Sequence, residues 1–174
     1  MKQSGFTLIE IVIVILIMSI VVPGVTMGIR TMVVQSQRAE KITVATDLAR
    51  YYMELALSKR YDEATPPIYN GTGGPPVWSA IGLDGETCAL PPTTLDDVDD
   101  FNCFSTPTAI PGFTGYTLTM NVAYMTVDTS GGVEDGIWGT PTVAGPTNAK
   151  RIRVQVTHAL IGTVTLNCVT GALY

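Results

Sequence analysis

The chain has 174 residues, a formal net charge of −5 and one histidine. That length suits one domain of modest core plus a long helix, and the acidity argues against a nucleic-acid groove as the main activity. Hydrophobic residues make up 46% of the chain, but the first thirty positions supply much of that share, so the remainder has the composition of an ordinary soluble fold.

Those first positions read MKQSGFTLIEIVIVILIMSIVVPGVTMGIR. From Phe6 to Ile29 the run is almost wholly apolar, and its one charge is Glu10. Twenty-four residues of helix reach roughly 36 Å, enough to cross a hydrocarbon core of about 30 Å. A carboxylate at the centre of such a span costs about 2.5–3.5 kcal/mol; near its start the cost is smaller and still unfavourable. A charge kept against that cost points to a use. The order of features also differs from a secretory signal, whose small-residue cleavage site follows the apolar region. Here the small residue, Gly5, precedes it, behind a polar leader carrying Lys2. Lys2 is the only cationic side chain before the span, whereas Arg30 and Arg38 follow it, so charge bias orients the segment weakly. Pro23-Gly24 and Gly28 lie within the run. They fit either a kink able to unwind or a proline of the kind membrane helices tolerate.

The motif Gly5-Phe6-Thr7-Leu8-Ile9-Glu10 resembles the prepilin signature of type IV pilins and type II secretion pseudopilins. The resemblance implies that a prepilin peptidase cuts after Gly5 on the cytoplasmic side of the inner membrane. It implies that Phe6 becomes the N-terminal residue and is methylated. It further implies that Glu10 pairs with the N-terminal amine of a neighbouring pilin subunit. Physics favours that pairing independently, because an amine and a carboxylate each buried in lipid are costly alone and much less so together. Removing the leader takes Lys2 with it and brings the side-chain charge to −6. A plain signal anchor with a stray glutamate is the bland alternative.

Residues 30 to 60 contain no Gly or Pro and continue the helix. Ile42, Ala45, Leu48, Tyr52 and Leu55 recur at the spacing of one helical stripe, so the outer half should pack a globular head along it. Lys59 and Arg60 are placed to favour the C-terminal dipole. Tyr51, Tyr52 and Met53 read as core packing in preference to an aromatic recognition patch.

Residues 61 to 115 are loop-rich, broken by Pro66-Pro67, Gly71 to Pro76 and Pro91-Pro92. Cys88 and Cys103 enclose fourteen residues, among them Asp96, Asp97, Asp99 and Asp100. Three cysteines allow three pairings. Closure of the shortest loop favours Cys88–Cys103, leaving Cys168 as a buried thiol; the rival pairing joins Cys103 to Cys168. The four aspartates offer oxygen ligands for Ca²⁺ but lack the spacing and central glycine of an EF-hand loop. They fit equally a helix cap or a solvated face. Paired carboxylates also suit glycoside hydrolysis, yet no cleft or partner residues are visible.

The C-terminal third is β. Tyr116, Leu118, Met120, Val122 and Tyr124 alternate with more polar residues, as do Ile152, Val154 and Val156, then Val164, Leu166 and Cys168. Three strands with one apolar face each make an antiparallel sheet able to lie on the helical stripe, with Gly162 turning the last two. Asp128 to Ala149, containing Trp138, is a long connection that in a small domain is either disordered or functional. No catalytic set forms around His158, which at a strand end reads as solvated; no C-x-x-C zinc pair and no phosphate-binding loop is present. No cofactor is expected.

The segments LSKRYDE, GETC, LDDVDDF, GYTLTMNVAY and AKRIRVQVT are similar to the family of minor pilin D from mannose-sensitive haemagglutinin pili. The cysteines and the proline-rich stretch at 64–76 depart from that pattern. The expected architecture is the α+β type IV pilin fold: a leader at 1–5, an assembly helix at 6–29, a head-packing helix at 30–60 and a head at 61–174. The expected role is structural, not enzymatic: a minor pilus subunit at the initiation or tip complex. A minor pseudopilin of type II secretion is the runner-up, and a surface adhesin binding carbohydrate through Trp138 is a reading of another class. Such a subunit sits first in the bacterial inner membrane with its head in the periplasm, then in an extracellular fibre, with other pilins and not nucleic acid as partners.

Overall fold

One helix, α1 (Leu8–Leu57), runs through two units of the chain whose boundary falls between Glu40 and Lys41. The computed structural model describes residues 7–62, 80–125 and 149–171.

In the first unit every described side chain is exposed, Leu8 through Val34 included. The hydroxyls of Ser19, Thr26 and Thr31 donate to the carbonyls of Leu16, Pro23 and Met27 at 2.7, 2.9 and 3.0 Å, which returns their polarity to the helix itself. Pro23 lies inside α1, which continues through it without a break.

In the second unit, the head, α1 buries Ala45, Leu48, Ala49, Tyr52, Met53 and Ala56. This stripe is rotated from the expected one: Ile42 is 47% exposed and Leu55 half-buried, because alanines permit a closer approach than larger side chains. Tyr52 and Met53 enter the core, while Tyr51 stays exposed with its ring edge-on to Tyr52. The helix stops at Leu57, before Lys59 and Arg60, so no basic residue occupies its last turn and the expected dipole interaction is not made. Arg60 instead forms a parallel bridge with Asp97: its N–H donates to the Asp96 carbonyl at 3.3 Å, its carbonyl accepts from Val98 at 2.9 Å, and its guanidinium pairs with the Asp96 carboxylate.

A four-stranded antiparallel sheet follows in the order β1 (Thr108–Ala109), β2 (Tyr116–Met125), β3 (Ala149–His158) and β4 (Gly162–Gly171). With α1 this is the α+β arrangement the sequence suggested, with one strand more than expected, since two residues cannot show a period. Tyr116, Leu118, Met120, Val122, Ile152, Val154 and Val156 bury one sheet face in a core shared with the α1 stripe, Leu95, Val98, Phe101 and Phe104. Val164, Leu166 and Cys168 of β4 pack on it half-buried. The β3–β4 turn closes with the Ile161 N–H on the His158 carbonyl at 3.2 Å, and Gly162 takes φ +80°, a left-handed value glycine adopts without strain. His158 is half-buried and not simply solvated: its ring lies 4.6 Å from that of Tyr116, and its Nδ1 accepts from Leu160 N–H at 3.2 Å.

Candidate functional site

Glu10 stands in the first turn of α1, where its own N–H donates to the Thr7 carbonyl at 3.1 Å. Leu8, Ile9, Ile11, Val12 and Ile13 surround it in sequence and all are exposed. No described residue of the chain pairs with its carboxylate. Helix α1 is long and apolar enough at its start to cross a membrane. Within that stretch Glu10 is the one ionisable side chain, available to a cation from outside the chain. Gly5 and Phe6 lie outside the described residues, as do Trp138 with the rest of 126–148 and the proline- and glycine-rich positions 66–76.

The acidic run does not act as one site. Asp97, one residue before the N-cap Val98, accepts at Oδ1 from the N–H groups of Asp99 and Asp100 at 3.0 and 3.2 Å and so satisfies the first donors of the 3-10 helix Asp99–Phe104, while Val98 itself makes no side-chain cap bond. Asp100 Oδ2 accepts from the N–H groups of Asp96 and Asp97 at 3.1 and 3.4 Å. The capping expectation therefore describes this stretch and the solvated one does not, since Asp97, Asp99 and Asp100 are all buried. Of the four aspartates considered for Ca²⁺, Asp96 and Asp100 bring carboxylate oxygens within 4.8 Å of one from Glu86, while Asp97 and Asp99 are engaged elsewhere. Offering one oxygen each, the three carboxylates supply half or fewer of the six to eight ligands Ca²⁺ takes, so water would have to complete such a shell.

Asp99 belongs to a buried network that sequence reasoning missed. Lys150, on β3 opposite Tyr124, is fully buried and its Nζ donates three hydrogen bonds: to the Tyr61 carbonyl at 2.7 Å, Asp99 Oδ1 at 2.8 Å and Asp62 Oδ2 at 3.3 Å. The rings of Tyr61 and Tyr124 lie 4.5 and 5.1 Å from the same nitrogen, and the Tyr124 hydroxyl donates to Asp62 Oδ2 at 3.2 Å. An ammonium has three protons to place, and here each has an acceptor. The signal was period two carried backward: Lys150 shares the face of Ile152, Val154 and Val156, so a strand two residues longer puts a lysine in the core.

Electrostatics follow from that burial. Burial, a hydrogen bond with Asp99 and the Asp99 charge push the Asp97 carboxyl up to about 7. A proton on Asp97 allows it to donate to Asp99, whose Oδ2 is buried without another hydrogen bond. Burial raises the Asp100 carboxyl as well, and burial together with the Asp62 and Asp99 charges raises the Tyr124 phenol.

Cys88 and Cys103 are joined in a disulfide that ties the stretch before the acidic run to the 3-10 helix. Cys168 is a free thiol on β4 opposite Ile152, as expected, but half-buried and not buried.

Residues 1–22 match a family model described as the prokaryotic N-terminal methylation motif. That match supports a place among the type IV pilins and pseudopilins, and with it processing by a prepilin peptidase and assembly with other pilins. The motif and the apolar start of α1 together fit anchoring in the inner membrane before assembly. No curated protein and no solved structure matches the chain.

Proposed function

We propose that the chain is a structural subunit of a type IV pilus, present at low abundance in the complex that initiates or tips the fibre and similar to minor pilin D of mannose-sensitive haemagglutinin pili. One observation carries this reading: a GFTLIE start that matches the N-terminal methylation motif and leads into an apolar stretch of helix whose single carboxylate, Glu10, has no described partner in its own chain. Cleavage after Gly5 frees an amine on Phe6, and the amine of one subunit meets Glu10 of the next. Each charge is disfavoured alone in lipid, so the pair fixes one axial register. The head rides in the periplasm until assembly carries it to the cell exterior, and its role is architectural.

Processing tests the reading. Gly5→Leu should block maturation and hold the protein in the inner membrane, and mass spectrometry of the native protein should find methylated Phe6 at the N-terminus. An intact MKQSG leader on assembled filaments would sink it. Deletion of the gene separates pilus from secretion machinery: loss of surface fibres with normal exoprotein export supports the pilus, and the reverse outcome assigns the chain to a pseudopilus.

A further inference from the structure

A groove with a cavity volume of about 560 Å³ opens in the head between α1 and the turn after β1. Val44, Leu48 and Tyr51 line its helical wall, Ile110 and Phe113 face them, and Asp47 is the one charged residue in the lining. Tyr51 and Phe113 are 54% and 42% exposed, large apolar surfaces left in water. The helical wall repeats at intervals of three and four residues, the spacing into which a ridge of another helix fits.

Resting on the reading of the chain as a filament subunit, we infer that this groove seats the N-terminal helix of a neighbouring pilin-type subunit, at the stretch just beyond its apolar run where an apolar side chain is flanked by arginines.

The chain's own helix displays that chemistry. Arg30, Val34 and Arg38 recur every fourth residue and so share one stripe, and all three are exposed. A neighbour built in this way sets its counterpart of Val34 between Tyr51 and Phe113 and one flanking guanidinium on Asp47. Arg50 on the same helix is held by Glu54 at 2.7 Å and feels Asp47 only as a weaker charge. Charge complementarity selects the occupant: an acyl chain would fill the apolar walls and gain nothing from Asp47, whereas a helix bearing arginine uses both.

The test places the photo-crosslinking residue benzoylphenylalanine at Phe113 in the full-length chain, in cells that assemble filaments. Irradiation should join position 113 to a peptide from the N-terminal helix of a subunit, in the stretch aligned with residues 27–38. Asp47→Arg should lower that yield about fivefold, by rim-charge repulsion, while the chain still enters filaments. The same photo-residue at Leu160, exposed in the β3–β4 turn, should not give this adduct. Adducts at position 113 only to lipid or to another head, or a yield indifferent to Asp47→Arg, would overturn the inference and leave the functional reading standing. A mature chain that never enters filaments would overturn both. If the Phe113 variant loses the Cys88–Cys103 disulfide and so has misfolded, the photo-residue goes to Tyr51 on the opposite wall, where the same adduct is required.

Discussion

Lys150→Met should be among the most damaging single changes in the head. Methionine keeps much of the length and apolar volume of lysine but supplies no proton to the Tyr61 carbonyl, Asp99 or Asp62, which now lie 2.7, 2.8 and 3.3 Å from Nζ. Asp62 retains the Tyr124 hydroxyl, whereas Asp99 loses its bond from Lys150 and keeps only what a protonated Asp97 donates. Breaking a buried pair by deleting one partner costs about 3–5 kcal/mol. Protonation limits the damage: a carboxyl of ordinary pKa near 3.9 is neutralised at pH 7 for about 4 kcal/mol and at pH 5 for about 1.5 kcal/mol. Burial without the ammonium disfavours a charged carboxylate, so the variant's loss of stability shrinks as pH falls. We therefore expect a loss of about 3–5 kcal/mol at pH 7 that shrinks by at least half at pH 5, against a total of about 5–15 kcal/mol for a domain. Urea denaturation of a soluble fragment starting at residue 30, followed by far-ultraviolet circular dichroism, measures it. The triple change Lys150→Met, Asp62→Asn, Asp99→Asn should recover much of the loss, because no buried charge is left uncompensated. A Lys150→Met loss below about 1 kcal/mol at pH 7, or one identical at pH 5, would refute the account of the network as three satisfied ammonium protons.

Asp97 is raised from 3.8 to about 7, so its folded form holds a proton that the unfolded chain releases, and its contribution to stability falls as pH climbs through that window. Asp97→Asn keeps an oxygen for the N–H groups of Asp99 and Asp100 and removes the titration; relative to the parent it should be more stable at pH 8 than at pH 4 by about 1–2 kcal/mol, read from paired denaturation curves. Glu10→Val should insert and be cleaved normally but enter filaments poorly, and incorporation at the parental level on immunoblots of sheared fibres would remove the register role. Cys88→Ser with Cys103→Ser should cost the head about 3 kcal/mol, as expected for a closed loop of this size, and should abolish any response of its melting temperature to reductant.

What the sequence disclosed depended on how local the determining interaction is. Ten residues of strict alternation made β2 legible from Tyr116 to Met125. In β3 the apolar alternation starts only at Ile152, yet the strand begins at Ala149, because Lys150 occupies a core position that hydropathy assigns to solvent. Its partner Asp99 lies 51 residues away, so the reason for burying either charge appears only when both are placed. The same holds for Arg60 and Asp96, separated by 36 residues. On α1 the 3–4 spacing identified Ala45, Leu48 and Tyr52 correctly, overvalued Ile42 and passed over Ala49 and Ala56, which are fully buried, since pattern reading rewards bulk. Glu10 was legible because a lone charge in an apolar run stands out without any tertiary knowledge.

Glu10 and Lys150 look alike in one respect: Glu10 lies in an apolar run of the sequence and Lys150 is fully buried in the fold, and each must be compensated to be kept. Their solutions differ, and the difference separates folding from assembly. Lys150 spends all three protons inside the head, on the residues just after α1 and on the acidic run. Removing it should therefore unfold the head and alter assembly only as a consequence. Glu10 has no described partner in its chain, and its removal makes the helix more apolar, so the fold has nothing to lose by it. A charge satisfied within one chain maintains that chain, whereas a charge left open in an apolar helix can, on the proposed function, set where the next chain goes. The two substitutions should accordingly show opposite phenotypes: Lys150→Met lowers the amount of folded protein, while Glu10→Val leaves it in the membrane at parental level and empties the filament of it.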